Sequence, residues 1–155
     1  MKLILCVDDG LGYSFNNRRQ SRDKKMREHM LGILREEGAG LFLNRYSERS
    51  LMSDGLFTED ELRERTKNPA QEGDAFLAEA DEQDGWAFVE NTDISGYLDR
   101  IDEILLYRWN RLYLSDLTLP EGYLKQFRFL SGDKFRGSSH ESISFSRYIR
   151  KDKKE

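Results

Sequence analysis

Residues 1–27 constrain this chain most. An apolar run (Leu3, Ile4, Leu5, Val7) ends at Asp8-Asp9 and passes a glycine turn at Gly10 and Gly12. It then continues through Phe15-Asn16-Asn17-Arg18-Arg19-Gln20-Ser21-Arg22-Asp23 toward a helical pattern. A continuous apolar run of this length reads as a strand covered on both faces. A strand that empties into a polar loop opening a helix is the usual ligand-binding end of an α/β sheet.

The rest of the chain extends that pattern. Ser21 is placed to cap a helix from Arg22 to Glu37, with Met26, Met30, Ile33 and Leu34 as its apolar stripe and Gly38 at its end. Leu41–Leu43 predicts a second strand, followed by a short helix over Glu48–Met52. Thr58 opens a helix that runs to Thr66, and Asn68-Pro69 breaks it. Ala75–Ala80 fits either a strand or a helical turn. Trp86–Val89 is a strand, Ser95–Arg100 a short helix, and Ile104–Trp109 a central strand. Two last strands, Phe127–Leu130 and Ser142–Ile149, are joined through a turn at Gly132–Gly137. The expected fold is a three-layer α/β domain over residues 1–150, with a mostly parallel mixed sheet and a C-terminal antiparallel hairpin. Residues 151–155 are expected to form a frayed basic tail.

Cys6 is the single cysteine, which excludes an intrachain disulfide and suits a reducing cytoplasm. No run approaches the roughly 20 apolar residues of a membrane span. Residues 16–27 carry six bases against one acid, whereas residues 53–103 carry sixteen acids against four bases. A basic edge of this kind can face an anionic ligand, an acidic protein partner or RNA, or be a solvated surface. The acidic middle argues against wrapping a long nucleic acid.

Within that edge, Arg18 and Arg19 can clamp a carboxylate or phosphate, or stand as exposed charges in weak surface pairs. Asp23 can be a general acid or a ligand carboxylate, or simply suit the positive end of a helix. Asp8 and Asp9 can hold an amine or a metal, or serve the turn that follows. Arg108, inside an apolar strand, needs either an ion-pair partner (Asp116 or an acid of residues 90–103) or a ligand cleft. His140 lies in the polar turn Ser138-Ser139-His140-Glu141; composition allows a Ser/His/acid triad, but no elbow motif supports one, and a solvent-facing turn histidine is the expectation.

The order of these pieces resembles the dihydrofolate reductase fold. Val7-Asp8, Gly12, Asn16 and Asp23 follow that family's first strand, glycine-bearing loop, asparagine and helix carboxylate. Asn44-Arg45-Tyr46-Ser47 stands where the family has Gly-Arg-x-Thr, and Asp116 to Pro120 matches its Asp-x-x-x-Pro before a closing hairpin. The resemblance implies an NADPH-dependent reductase with Asp23 as proton donor and Arg45 and Ser47 on the cofactor phosphate. On such a scaffold the residues themselves predict a cleft at the strand ends lined by Asp8, Asn16, Arg18, Arg19, Asp23, Arg45 and Arg108, binding a small anionic or nucleotide-like ligand without nicotinamide chemistry.

The family's Leu-Pro-Trp is replaced by Arg18-Arg19-Gln20, and Glu90-Asn91 stands where a Gly-Gly pair would admit the cofactor's phosphates. An anionic side chain there would repel a pyrophosphate, so nicotinamide chemistry is disfavoured. Phe15–Asp23 and Tyr107–Arg111 also resemble a group of short bacterial proteins, some labelled ribonuclease Z, a two-zinc hydrolase. With only His29 and His140 present, the histidine-rich site of that enzyme cannot be assembled, and no metal is expected.

Overall fold

A computed structural model describes residues 1–66 and 70–152. The predicted break at Asn68-Pro69 and the end of the predicted basic tail, 153–155, lie outside the described residues. In chain order the strands are β1 (Lys2–Val7), β2 (Gly12–Phe15), β3 (Arg18–Arg19), β4 (Leu41–Phe42), β5 (Trp86–Val89), β6 (Glu103–Arg108), β7 (Leu117–Thr118), β8 (Phe127–Phe135) and β9 (Ile143–Arg150). The helices are α1 (Lys24–Glu37), α2 (Arg45–Ser53), α3 (Glu59–Thr66) and α4 (Ala75–Gln83), and 3-10 turns cover Ser95–Arg100 and Tyr123–Gln126.

Among the described residues the main sheet runs β4-β5-β1-β6-β9-β8. β4, β5, β1 and β6 are mutually parallel, and β9 and β8 are antiparallel additions. The apolar run of β1 sits at the centre because both its faces are covered. Leu3, Leu5 and Val7 join the core beneath α4, and Ile4 joins the core beneath α1, α2 and α3. Each such fully buried leucine or isoleucine contributes about 1.5–3 kcal/mol relative to an exposed one. The fold is thus a mixed three-layer α/β arrangement with a mostly parallel sheet and antiparallel closing strands. No described helix is long and apolar enough to cross a membrane.

Several local expectations are corrected. The cap of α1 is Asp23, not Ser21: its backbone is extended and its carboxylate accepts from the Met26 amide. Both residue types cap well, but Asp23 also accepts from the Ser138 and Ser139 amides of the β8–β9 turn, whereas Ser21 Oγ is turned to His140. In the buried stripe, Arg27 and Leu31 accompany Met26, Met30 and Leu34, whereas Ile33 is only partly buried. Gly38 ends α1 in the left-handed conformation, φ 60°, as read.

The helix after β4 starts at Arg45, earlier than expected, because the Asn44 side chain accepts from Ser47 N. Ala75–Gln83 is a helix, and Leu43, read as strand, lies just past β4. β8 does not stop at Leu130. After an irregularity between Phe129 and Ser131 it pairs with β9 through Phe135, so the reversal falls at residues 136–142.

The hairpin of β2 and β3 has a recognisable turn: Asn16 and Asn17 take φ 54° and 61°, values asparagine tolerates in a two-residue hairpin loop. Together with β7 these strands form a second, three-stranded sheet beside the carboxyl end of β1.

Candidate functional site

Asp8, at the end of β1, is 1% exposed and already saturated. Its Oδ1 accepts from the amides of Gly10 (2.9 Å) and Gly12 (2.8 Å). Its Oδ2 accepts from Gln20 Nε2 (2.9 Å) and the Tyr113 amide (3.2 Å). The carboxylate therefore ties the first loop to residues 109–116. Gln20 Nε2 also reaches the Leu114 carbonyl, while Gln20 Oε1 is buried without a partner.

Arg19 and Ser47 meet on a group the sequence reading took for an obstacle. Glu90, just past β5, is buried and turned inward. Its carboxylate accepts from Arg19 Nε (2.9 Å) and Nη2 (3.1 Å), from Arg27 Nη2 (3.1 Å) and from Ser47 Oγ (2.8 Å). Arg27, 1% exposed, also donates to Ser50 Oγ and Asp54, and Asp54 receives Arg22 as well. Burial works against the Arg27 charge, but Glu90 and Asp54 more than restore it and raise its pKa. The Arg19 guanidinium lies 4.1 Å from the centre of the Tyr46 ring, a cation–π contact. Two bases of the segment, Arg19 and Arg27, are thus spent on buried Glu90, whereas Arg18, Arg22, Lys24 and Lys25 stay exposed.

The second cluster forms where α1 meets the β8–β9 turn. The Asp23 carboxylate is buried and accepts from the amides of Met26 (3.1 Å), Ser138 (3.0 Å) and Ser139 (2.8 Å). Its Oδ2 also lies 3.0 Å from His140 Nδ1. Burial opposes the charge, but the Ser139 and Ser138 amides, His140 and the Met26 amide outweigh it and hold the carboxyl well below the usual carboxylate range. Gly137 is required here because a Cβ would fall 2.3 Å from Asp23 Oδ2.

His140 is 4% exposed, not solvent-facing as expected from its polar neighbours. Its ring stacks on Trp109, with centroids 4.5 Å apart and planes at 18°. Its Nε2 lies 3.2 Å from Ser21 Oγ and 3.0 Å from the Tyr113 hydroxyl. Asp23, being ionised, only accepts, so Nδ1 carries a proton toward it, and whenever the imidazole is neutral Nε2 is the acceptor. Composition allows a Ser/His/acid triad at His140, but no local motif names its partners, because Ser21 and His140 lie 119 residues apart. The available signal was a helix-start aspartate together with the chain's second histidine.

The other predicted residues are dispersed. Asn16 is an exposed turn residue whose amide donates to Asp116. Arg18 is exposed, and it makes no ion pair among the described residues. Arg45 reaches the Ala70 carbonyl and lies 3.8 Å from Glu72. Arg108 is half-buried and has no ion pair among the described residues, so the expected partners do not meet it; its Nη2 lies 3.5 Å from the Tyr148 hydroxyl. Among the described residues no cluster of three or more metal-ligating side chains occurs.

A polar groove of about 350 Å³ opens at the carboxyl ends of β4 and β5. It is lined by Asn17, Asn44, Tyr46, Asn91 and Thr92, with the acids Glu72, Asp74 and Asp93 on its rim.

No protein-family model and no curated protein sequence matches this chain significantly. Among solved structures it is similar to a dihydrofolate reductase from Enterococcus faecalis, solved as a complex with NADP(H) and RAB-propyl. The TM-score is 0.60 at 13% identity, covering 97% of this chain and 96% of that one. At that identity the likeness concerns architecture alone, and it spans nearly every element: this chain is a distant bearer of the dihydrofolate reductase fold.

Proposed function

We propose that the protein is a small-ligand binder built on this fold, without nicotinamide chemistry, and that its ligand enters the groove at the ends of β4 and β5. The observation that carries this reading is the chemistry of that groove. Where a dinucleotide's phosphates would need glycine and positive charge, Asn91 and Thr92 project side chains and Glu72, Asp74 and Asp93 form the rim. Arg19 and Ser47, which could have met a phosphate, already hold Glu90. A pyrophosphate would be repelled, whereas a small amine or guanidine would find the Asp74 and Asp93 carboxylates.

The basic segment gives less support to docking on RNA or an acidic protein. Arg19, Arg22, Lys25 and Arg27 all face carboxylates within the chain.

Calorimetric titration with NADPH and with agmatine tests the reading. Agmatine is expected to bind saturably, and Asp74→Asn/Asp93→Asn to weaken it about tenfold. NADPH is expected to show no saturation at millimolar concentration. Micromolar NADPH binding would overturn the reading and make a reductase the working function.

A further inference from the structure

We propose that Ser21, His140 and Asp23 form a nucleophile, base and orienting carboxylate that cleave small carboxylic esters by acyl transfer through Ser21. The three groups are in line: Ser21 Oγ lies 3.2 Å from His140 Nε2, and His140 Nδ1 lies 3.0 Å from Asp23 Oδ2. Both distances suit a base poised to take the serine proton and a carboxylate that steadies the imidazolium formed. Asp23 is itself fixed by three backbone amides from two elements, and the imidazole plane is set by Trp109. Such over-determination keeps a base in one tautomer and one orientation, which acyl transfer needs and a surface histidine lacks.

Two further features point to an occupant. Tyr113 brings its hydroxyl to within 3.0 Å of the same Nε2, so two hydroxyl donors converge on a single lone pair. One is surplus at rest, and the phenol is the group free to turn to a substrate's carbonyl oxygen as negative charge develops there. The loop carrying Tyr113 leaves Leu112 and Leu114 74% and 71% exposed, apolar surface for an acyl chain.

In the reaction, Ser21 Oγ bonds to the ester carbon while its proton passes to Nε2, and the carbonyl electron pair moves onto oxygen. Collapse breaks the bond to the leaving oxygen, which takes the proton from Nε2. Water then repeats the sequence on the acyl-serine, releasing the acid and restoring Ser21.

The test is labelling with a fluorophosphonate probe, with mass mapping of the modified peptide, beside hydrolysis of p-nitrophenyl butyrate. The expected result is a single modification at Ser21, absent in Ser21→Ala and His140→Asn and kept in Ser131→Ala. Ser21→Ala should hydrolyse the ester at least about 100-fold more slowly, and Tyr113→Phe about 100-fold more slowly. Ser21→Ala removes one half-buried hydroxyl, so its thermal melt should match that of the parent protein and exclude unfolding as the cause. Modification at another residue, or hydrolysis unchanged in Ser21→Ala, would overturn the proposal. It does not rest on the β4–β5 groove: agmatine binding and Ser21 labelling are read separately, and either can fail alone.

Discussion

Arg27→Met is expected to lower the free energy of unfolding by about 3 kcal/mol, the lower end of the cost of removing one partner from a buried ion pair. The apolar stem of methionine fills much of the volume, so cavity formation contributes little. The loss comes from leaving Glu90 and Asp54 buried with fewer donors. Glu90 retains Arg19 and Ser47, and Asp54 retains Arg22, which keeps the cost from the top of the range. Urea unfolding followed by the fluorescence of Trp86 and Trp109 measures it. Arg27→Met/Glu90→Gln should recover part of the loss, because the double variant removes the uncompensated charge as well. A loss below 1 kcal/mol, or strict additivity of the two substitutions, would show that the network is solvated and that Glu90 does not need Arg27.

The same network marks the limit of what the sequence discloses. The six strands of the main sheet were legible from local pattern, whereas β2, β3 and β7 of the second sheet lie in segments read as loop. A continuous apolar run gave β1, glycine and proline gave several boundaries, and the closing pair was visible as two strands. Elements decided by neighbours were not. Ala75–Ala80 has no periodicity strong enough to choose a helix, and it is one because Phe76, Leu77 and Ala80 pack into the core beneath the sheet. β8 reads as ending at Leu130 because the remainder is polar, yet an edge strand with an exposed face carries such residues without cost.

The candidate site was legible only by residue type. Arg19, Asp23 and Ser47 do engage buried charges or polar groups, but their partners, Glu90 and His140, come from strand ends and turns far along the chain. No local spacing encodes those distances. Glu90 looked like an obstacle to a phosphate, and the structure adds that it is also the acceptor around which two arginines are arranged.

Asp23→Asn is expected to destabilise the protein by about 2–4 kcal/mol at neutral pH, with a pH dependence of defined sign. An asparagine can still cap α1 through its oxygen, so the cap itself costs little. The second oxygen, however, becomes an NH2 group facing the Ser139 amide and His140 Nδ1, donors against donors in a buried place. The Asp23 carboxyl is held well below the usual carboxylate range, so the folded state binds its proton less readily than the unfolded chain. The stabilisation it supplies is complete above the unfolded value of about 3.9 and declines as pH falls from there through the lower folded value. The gap between parent and Asp23→Asn should therefore be widest above about pH 5 and narrow steadily toward pH 2, because asparagine has no proton to gain. Urea unfolding at a series of pH values reads this gap directly, and the other carboxyls cancel in the difference. A gap that stays constant down to pH 2 would mean that Asp23 is not an ionised acceptor in the fold. His140 Nδ1 would then no longer be bound to carry the proton, and the alignment of Ser21 on Nε2 would lose its chemical basis.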